Sequence, residues 1–316
     1  MSPRLAVLLS VLAGALLAVQ ARVNGALTTT LGSAVPAATV SFAVGTLAVA
    51  IAVLTLRAGP PAIAALRRAR PPLWQLLGGL GGAFLVGISA YAVPLVGVAF
   101  LSVCTVAGQT AGGLGVDRAG LGPGGRRLLT LPRAAGAALA VVALLVAAAG
   151  HRGQARPVLF GLIALAGVGV ALQQAANGRL GVASGQPAFA SLVSFLGGTA
   201  ALLGTSLALA ATGRLDNVHW PGLDRGWLYL GGIGGGVYIT LSAFAVPVLG
   251  VLRLSLASIA GQLAGGVVID IVTPSGEGLE PLTVVAVLLT FVAVALAGRV
   301  PAALRAQPAV PRAGLR

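Results

Sequence analysis

Lysine is missing from this sequence and acid is scarce. All twenty basic residues are arginine, set against six Asp and Glu, and charged residues make up only 8% of 316. A soluble globular domain carries about 25% charged residues, so that class is excluded. Aromatics are 4% of the chain, too few to stack bases along a strand. The net charge of +14 and the isoelectric point of 11.9 therefore do not imply a nucleic-acid partner. The arginines sit in loops and tails beside apolar runs, where the positive-inside effect accounts for them. The single cysteine, Cys104, lies within an apolar run. It excludes an intrachain disulfide and a thiolate zinc cluster, and it reads as a small packing residue. His151 and His219 fall in expected loops, so no metal site or proton relay is built from histidine. Paired acids, an activated nucleophile and a phosphate-binding glycine loop are all missing, so neither an enzyme nor direct ATP drive is expected. No cofactor is implied.

What is present is apolar. Hydrophobic residues are 57% of the chain and the mean hydropathy is +1.00, which excludes disorder. A membrane span needs about 20 apolar residues. The breaks at Pro, Gly and Arg divide the chain into ten spans, approximately 5–25, 35–56, 73–93, 95–116, 130–149, 158–178, 188–211, 227–246, 248–271 and 281–298. Spans three and four are parted only by Pro94, and eight and nine by Pro247. Proline disfavours the α conformation at the residue before it, so each pair reads as a tight reversal; the alternative is two long kinked helices. The first run, from Leu5, could pass for a signal peptide, but it continues into Gln20 and Asn24, a pattern that recurs deep in the chain. Fifteen arginines fall on one side of the ten spans and five on the other, with five of the six acids on the poorer side. This places both termini in the cytoplasm of a multi-pass plasma (inner) membrane protein.

The sequence repeats itself at an offset of 153. Gln20 and Asn24 fall on Gln173 and Asn177; Ser41, Phe42, Gly45 and Thr46 fall on Ser194, Phe195, Gly198 and Thr199. Trp74 falls on Trp227, Gly108-Gln109 on Gly261-Gln262, and Asp117 on Asp270. The unit holds five spans. Five is odd, so the second copy enters upside down, giving an all-α fold of ten transmembrane helices as a 5+5 inverted-topology repeat. The expected divisions are 1–152 for the first repeat, 153–300 for the second and 301–316 for a basic cytoplasmic tail.

Polar side chains recur inside the spans. Ser102, Thr105, Gln109 and Asp117 form one helical stripe, and Ser255, Ser258, Gln262 and Asp270 repeat it. Amides in hydrocarbon must find partners or face a cavity. Two readings stand: glue between helices, or contacts to a solute. On the second, Gln20, Asn24, Ser102, Thr105, Gln109, Gln173, Asn177, Ser255, Ser258 and Gln262 are the candidate substrate-binding residues. Asp117 and Asp270 are the candidates for ion coupling. No carboxylate lies mid-span, which suits a neutral or zwitterionic solute. The glycines at 78, 79, 81 and 82, matched at 231, 232, 234 and 235, read as close helix packing.

These residues carry a resemblance. Gln20 through Asn24-Gly25, Ser41 through Thr46, and Gly108-Gln109 with Asp117, together with their counterparts in the second half, make each half similar to the YdcZ-like family of the drug/metabolite transporter (DMT) superfamily. The resemblance implies the inverted five-plus-five fold and a transport role, with no substrate specified. The reading is a secondary transporter that exports a small polar metabolite or drug-like solute, working by alternating access. Its rivals are a lipid carrier and a non-transporting structural subunit. Its partners are a small-molecule substrate and the lipid bilayer, with homodimerisation left open.

Overall fold

The structure is a computed structural model, and it describes residues 2–126, 128–150, 157–215, 217–273 and 280–298. Every regular element among them is helical: α1 (Pro3–Leu31), α2 (Ala34–Thr55), α3 (Gly59–Ala69), α4 (Leu73–Leu76), α5 (Gly79–Ala119), α6 (Leu131–Gly150), α7 (Pro157–Ser184), α8 (Pro187–Ala211), a 3-10 stretch (Leu223–Leu230), α9 (Gly231–Val272) and α10 (Pro281–Ala297). Local signals set several ends. The Ser2 hydroxyl accepts from Leu5 N at 3.3 Å with Pro3 in the first turn, and Gly32, at φ +74°, closes α1 by donating its N–H to the Thr28 carbonyl. Pro187 and Pro281 open α8 and α10.

Seven helical stretches among the described residues are long and apolar enough to cross a membrane, and α10 is a shorter apolar helix. Their outer faces carry large side chains such as Leu8, Leu47, Leu145 and Leu288, each more than half exposed. In water such faces would associate; against lipid they are solvated. Many of the fully buried positions are small instead, among them Ala6, Ala37, Ala140 and Ala293. Without a hydrophobic drive between helices, close backbone approach supplies the packing.

Two of the long helices double back. In α5, Gly78 faces Ala176 and Gly81 faces Gly169, so its first arm runs antiparallel to α7. Farther on, Gly108 faces Ala164 and Gly112 faces Val168, so its second arm runs parallel to α7. A straight helix would separate Gly81 from Gly108 by about 40 Å, yet both touch one stretch of α7. The chain reverses at Gly97, at φ +79° and ψ 170°, a conformation open to glycine. The break therefore falls three residues after Pro94, which stays inside the first arm. α9 repeats the pattern along α1: Gly231 faces Asn24 and Gly234 faces Leu16, whereas Gly261 faces Val11 and Gly265 faces Ala15.

The long loop expected after α2 contains α3, an amphipathic helix with Arg67 and Arg68 in its last turn, and the short α4 with Trp74. α1 and α7 run several residues beyond their expected ends, to Leu31 and Ser184. His151 lies outside the described residues, as does the 301–316 tail.

The packing follows the 153-residue register. The Gly79 Cα faces the Ser194 carbonyl, and Gly232 faces the Ser41 carbonyl; Gly45 sits against Phe195, and Gly198 against Phe42. The Phe42 and Phe195 rings pack with centroids 5.2 Å apart. α2 and α8 run antiparallel: Thr39 bonds Ser206 at 2.8 Å while Thr46 bonds Thr199 at 2.7 Å. The second arm of α5 is the most enclosed element. Phe100, Val103 and Cys104 are fully buried in a cluster that takes in Ala143, Ile163, Leu263 and Ala286.

Candidate functional site

A cavity of about 360 Å³ lies between α1, both arms of α5, and the second arm of α9. α1 brings Gln20 and Asn24 to it, and α5 brings Thr105 and Gln109. α9 brings Ser255, Ser258 and Gln262. Thr105 and Gln109 of one stripe, Ser255, Ser258 and Gln262 of the other, and the first amide pair thus share one space. Leu17, Leu85, Leu101 and Ile259 supply apolar wall between them.

The amides on α1 are held from behind. Asn24 Nδ2 donates to Ser41 Oγ at 3.0 Å, and Gln20 Nε2 to the same oxygen at 3.5 Å. Their oxygens, Gln20 Oε1 and Asn24 Oδ1, are buried and have no hydrogen-bond partner among the described residues. Thr105 Oγ1 and Ser258 Oγ are in the same condition. An unmade hydrogen bond on a buried polar group costs about 1–3 kcal/mol. Six such side-chain atoms occur among the described residues, and four of the residues that carry them are among those lining this cavity. The two amide oxygens themselves lie against the glycines of the first arm of α9, Asn24 Oδ1 at Gly231 and Gln20 Oε1 at Gly235.

Three of the expected contacts lie elsewhere. Ser102 is fully buried and donates to the Val98 carbonyl at 2.8 Å. Gln173 packs over Gly82, where a Cβ would meet Oε1 at 2.7 Å. Asn177 Oδ1 accepts from the Ser194 hydroxyl. None of the three lines the cavity. Asn177 has the same backing serine position as Asn24, and both amide pairs pack over glycines of a neighbouring arm, so the pairs differ only in that the first is also among the cavity's lining residues. Gln174, beside Gln173, lines the cavity instead. Its register mate is Ala21, so a search for repeated polar positions passes over it. Ser89, Thr110, Tyr238 and Arg133 also line it.

The two aspartates differ. Asp117 forms an ion pair with Arg133 at one end of the second arm of α5. Asp270 lies at the other end, buried, where it accepts from the Val98 and Ala99 amides at 2.9 and 2.7 Å. The 19 residues between Val98 and Asp117 span about 29 Å of helix. No group of three or more His, Cys, Asp or Glu that could hold a metal occurs among the described residues.

This arrangement, apolar helices closed round a polar cavity, defines a polytopic helical membrane protein. The model of the family described as "Putative inner membrane exporter, YdcZ" matches the chain twice, over residues 5–146 and 158–297. The chain belongs to that family, with two family units fused in one polypeptide. It is a multi-pass inner membrane protein of a transporter family. No curated protein and no solved structure matches it.

Proposed function

We propose that the protein is a secondary transporter that exports a small polar solute, neutral or zwitterionic, by alternating access between two inverted five-span halves. One observation carries this. The halves agree in sequence and in packing register, but the cavity breaks the symmetry: Gln20 and Asn24 face it, and Gln173 and Asn177 do not. A two-fold repeat with one open side has a second arrangement available, in which the two amide pairs exchange places. The antiparallel pairing of α2 with α8 supports inversion of one half against the other. The doubling back of α5 and α9 supports ten spans.

On this reading the repeats are 1–152 and 153–300, and both termini are cytoplasmic, with the arginine-rich tail of 301–316. The cavity then opens toward the cytoplasm. Gln20, Asn24, Thr105, Gln109, Ser255, Ser258 and Gln262 contact the solute in this state. Gln173 and Asn177 contact it in the other, and Ser102 belongs to the path's wall. No acidic side chain is among the cavity's lining residues, which favours a solute without net positive charge.

The test is untargeted metabolite analysis of cells and medium. A strain expressing the protein is compared with one expressing Gln109→Ala plus Gln262→Ala at equal membrane abundance. A compound that moves to the medium only with the intact amides supports export and names the substrate class. Equal profiles, with the double variant less stable to heat, would shift the reading to a structural subunit. A long-chain compound would shift it to a lipid carrier.

A further inference from the structure

The cavity has a closed end, and a carboxylate sits across it. The second arm of α5 starts directly after Gly97, so the Val98 and Ala99 amides are first-turn donors without helical acceptors of their own. Asp270, near the end of α9, accepts both, one with each oxygen, at 2.9 and 2.7 Å. These bonds join residues 172 and 171 apart, from one half of the protein to the other. A Cβ on Gly97 would stand 2.8 Å from Asp270 Oδ2, so the turn admits the carboxylate because it is glycine. At the same level Arg22 on α1 donates Nε to Thr273 Oγ1 at 3.2 Å, and its charge attracts Asp270. α1, the α5 turn and the end of α9 are thereby tied together.

The enclosure of the cavity follows this tie. Leu101, one turn beyond Val98, and Thr105 are buried. Gln109, Thr110, Gly113 and Leu114, nearer Arg133, are partly exposed. The α5 wall of the cavity is thus buried toward Asp270 and partly exposed toward Arg133.

We propose that Asp270 is the latch of the closed end. While its carboxylate caps Val98 and Ala99, α9 cannot part from the α5 turn; when it releases both amides, that end opens and the Arg133 end closes. Only a carboxylate fits this task with both oxygens. Asparagine would offer one acceptor and set an NH₂ against the second amide N–H. This inference rests on the alternating-access reading above and assigns one of its gates.

The experiment reads conformation without any solute. The full chain carries Cys104→Ser, which removes its only cysteine, and either Leu101→Cys or Leu114→Cys. Sealed membrane vesicles of both orientations are exposed to a membrane-impermeant charged methanethiosulfonate. With Asp270 intact, both positions react from the Arg133 face. With Asp270→Asn, position 101 reacts at least about tenfold faster from the Asp270 face, and position 114 slows from the Arg133 face, as a shifted two-state equilibrium requires. Parental rates at both positions, in Asp270→Asn protein that elutes as folded material, would overturn the latch. Should Asp270→Asn not fold, Thr273→Val serves, since it removes the exposed hydroxyl that accepts from Arg22 and donates to the Ile269 carbonyl, and leaves the Asp270 carboxylate in place. It is expected to shift both rates in the same directions by about twofold, and unchanged rates overturn the proposal. If labelling responds and no solute is ever moved, the transport reading falls while the latch stands. If export is demonstrated and labelling does not respond, the latch alone falls.

Discussion

Thr46 and Thr199 hydrogen-bond each other across the protein at 2.7 Å, and they are the same residue of the repeat, 153 positions apart. A residue that meets its own copy lies on the axis relating the copies. Thr46 also donates to the Phe42 carbonyl at 2.8 Å, so within the pair Thr199 is the donor and Thr46 Oγ1 the acceptor.

This pair makes a prediction about coupling. Thr46→Val removes the acceptor and leaves the Thr199 hydroxyl unpaired, at a cost of about 1 kcal/mol. Thr46→Val with Thr199→Val removes both groups and is expected to cost less than the sum of the single changes. Thermal unfolding of the four proteins in one detergent checks it. Additive losses would mean that the two hydroxyls do not interact.

The glycines at helix crossings are expected to differ sharply from those facing open space. A methyl on Gly79 would run into the Ser194 carbonyl, and one on Gly232 into the Ser41 carbonyl, whereas one on Gly87 meets nothing within 4 Å. Gly79→Ala and Gly232→Ala should each lose about 1–3 kcal/mol. Gly87→Ala should be neutral or stabilising, because alanine orders a helix better than glycine by about 0.5–1 kcal/mol. Yield of monodisperse protein and melting temperature provide the comparison. Equal behaviour of all three would contradict the packing.

Asn24 and Gln109 separate stability from transport. Asn24 bonds Ser41 at 3.0 Å, so Asn24→Ala should lower stability by about 1 kcal/mol as well as reduce export. Gln109 lines the cavity with no side-chain hydrogen bond to described residues. Gln109→Ala should therefore stay within about 0.5 kcal/mol of the parent while export falls. Melting temperature and efflux of the solute, once identified, are measured side by side.

The membrane orientation has its own check. A phosphatase or fluorescent reporter fused after Arg316 should report the cytoplasm, and a cysteine replacing Gly213, in the turn after α8, should react with impermeant reagent from the outside. The reverse pattern would overturn the arginine count as a guide to this protein.

Much of this fold is written in the sequence in a form simple physics reads. Long apolar runs locate the helices because a backbone in lipid must satisfy itself. The duplicated Gly, Ser and Thr positions anticipate the register of the contacts. The exact turn does not follow from Pro94, because Pro94 stays inside the first arm and the reversal needs the positive φ that Gly97 provides. α3 escapes notice because its eleven residues are too short to span and its arginines resemble a loop. The site is legible in residue types and less so in membership. Gln20 and Gln173 are the same position of the repeat, and only the arrangement of the halves decides which one meets the cavity. Gln174 and Arg133 have no repeated polar partner to draw attention to them.

The crossed pairing of helices has a consequence for how the chain is made. Val11 of α1 meets Gly261 of α9, and the ribosome makes the second of these 250 residues after the first. At 5–20 residues per second that is roughly 10–50 s of elongation. α1 must be inserted and then wait in the bilayer, its eventual contact face turned to lipid or to a temporary companion, until nearly the whole protein has emerged. α7 finds the second arm of α5 already in place. The two halves share a design but not a schedule, and a nascent chain stalled before α9 would leave uncovered the face of α1, from Val11 to Asn24, that α9 covers in the finished protein.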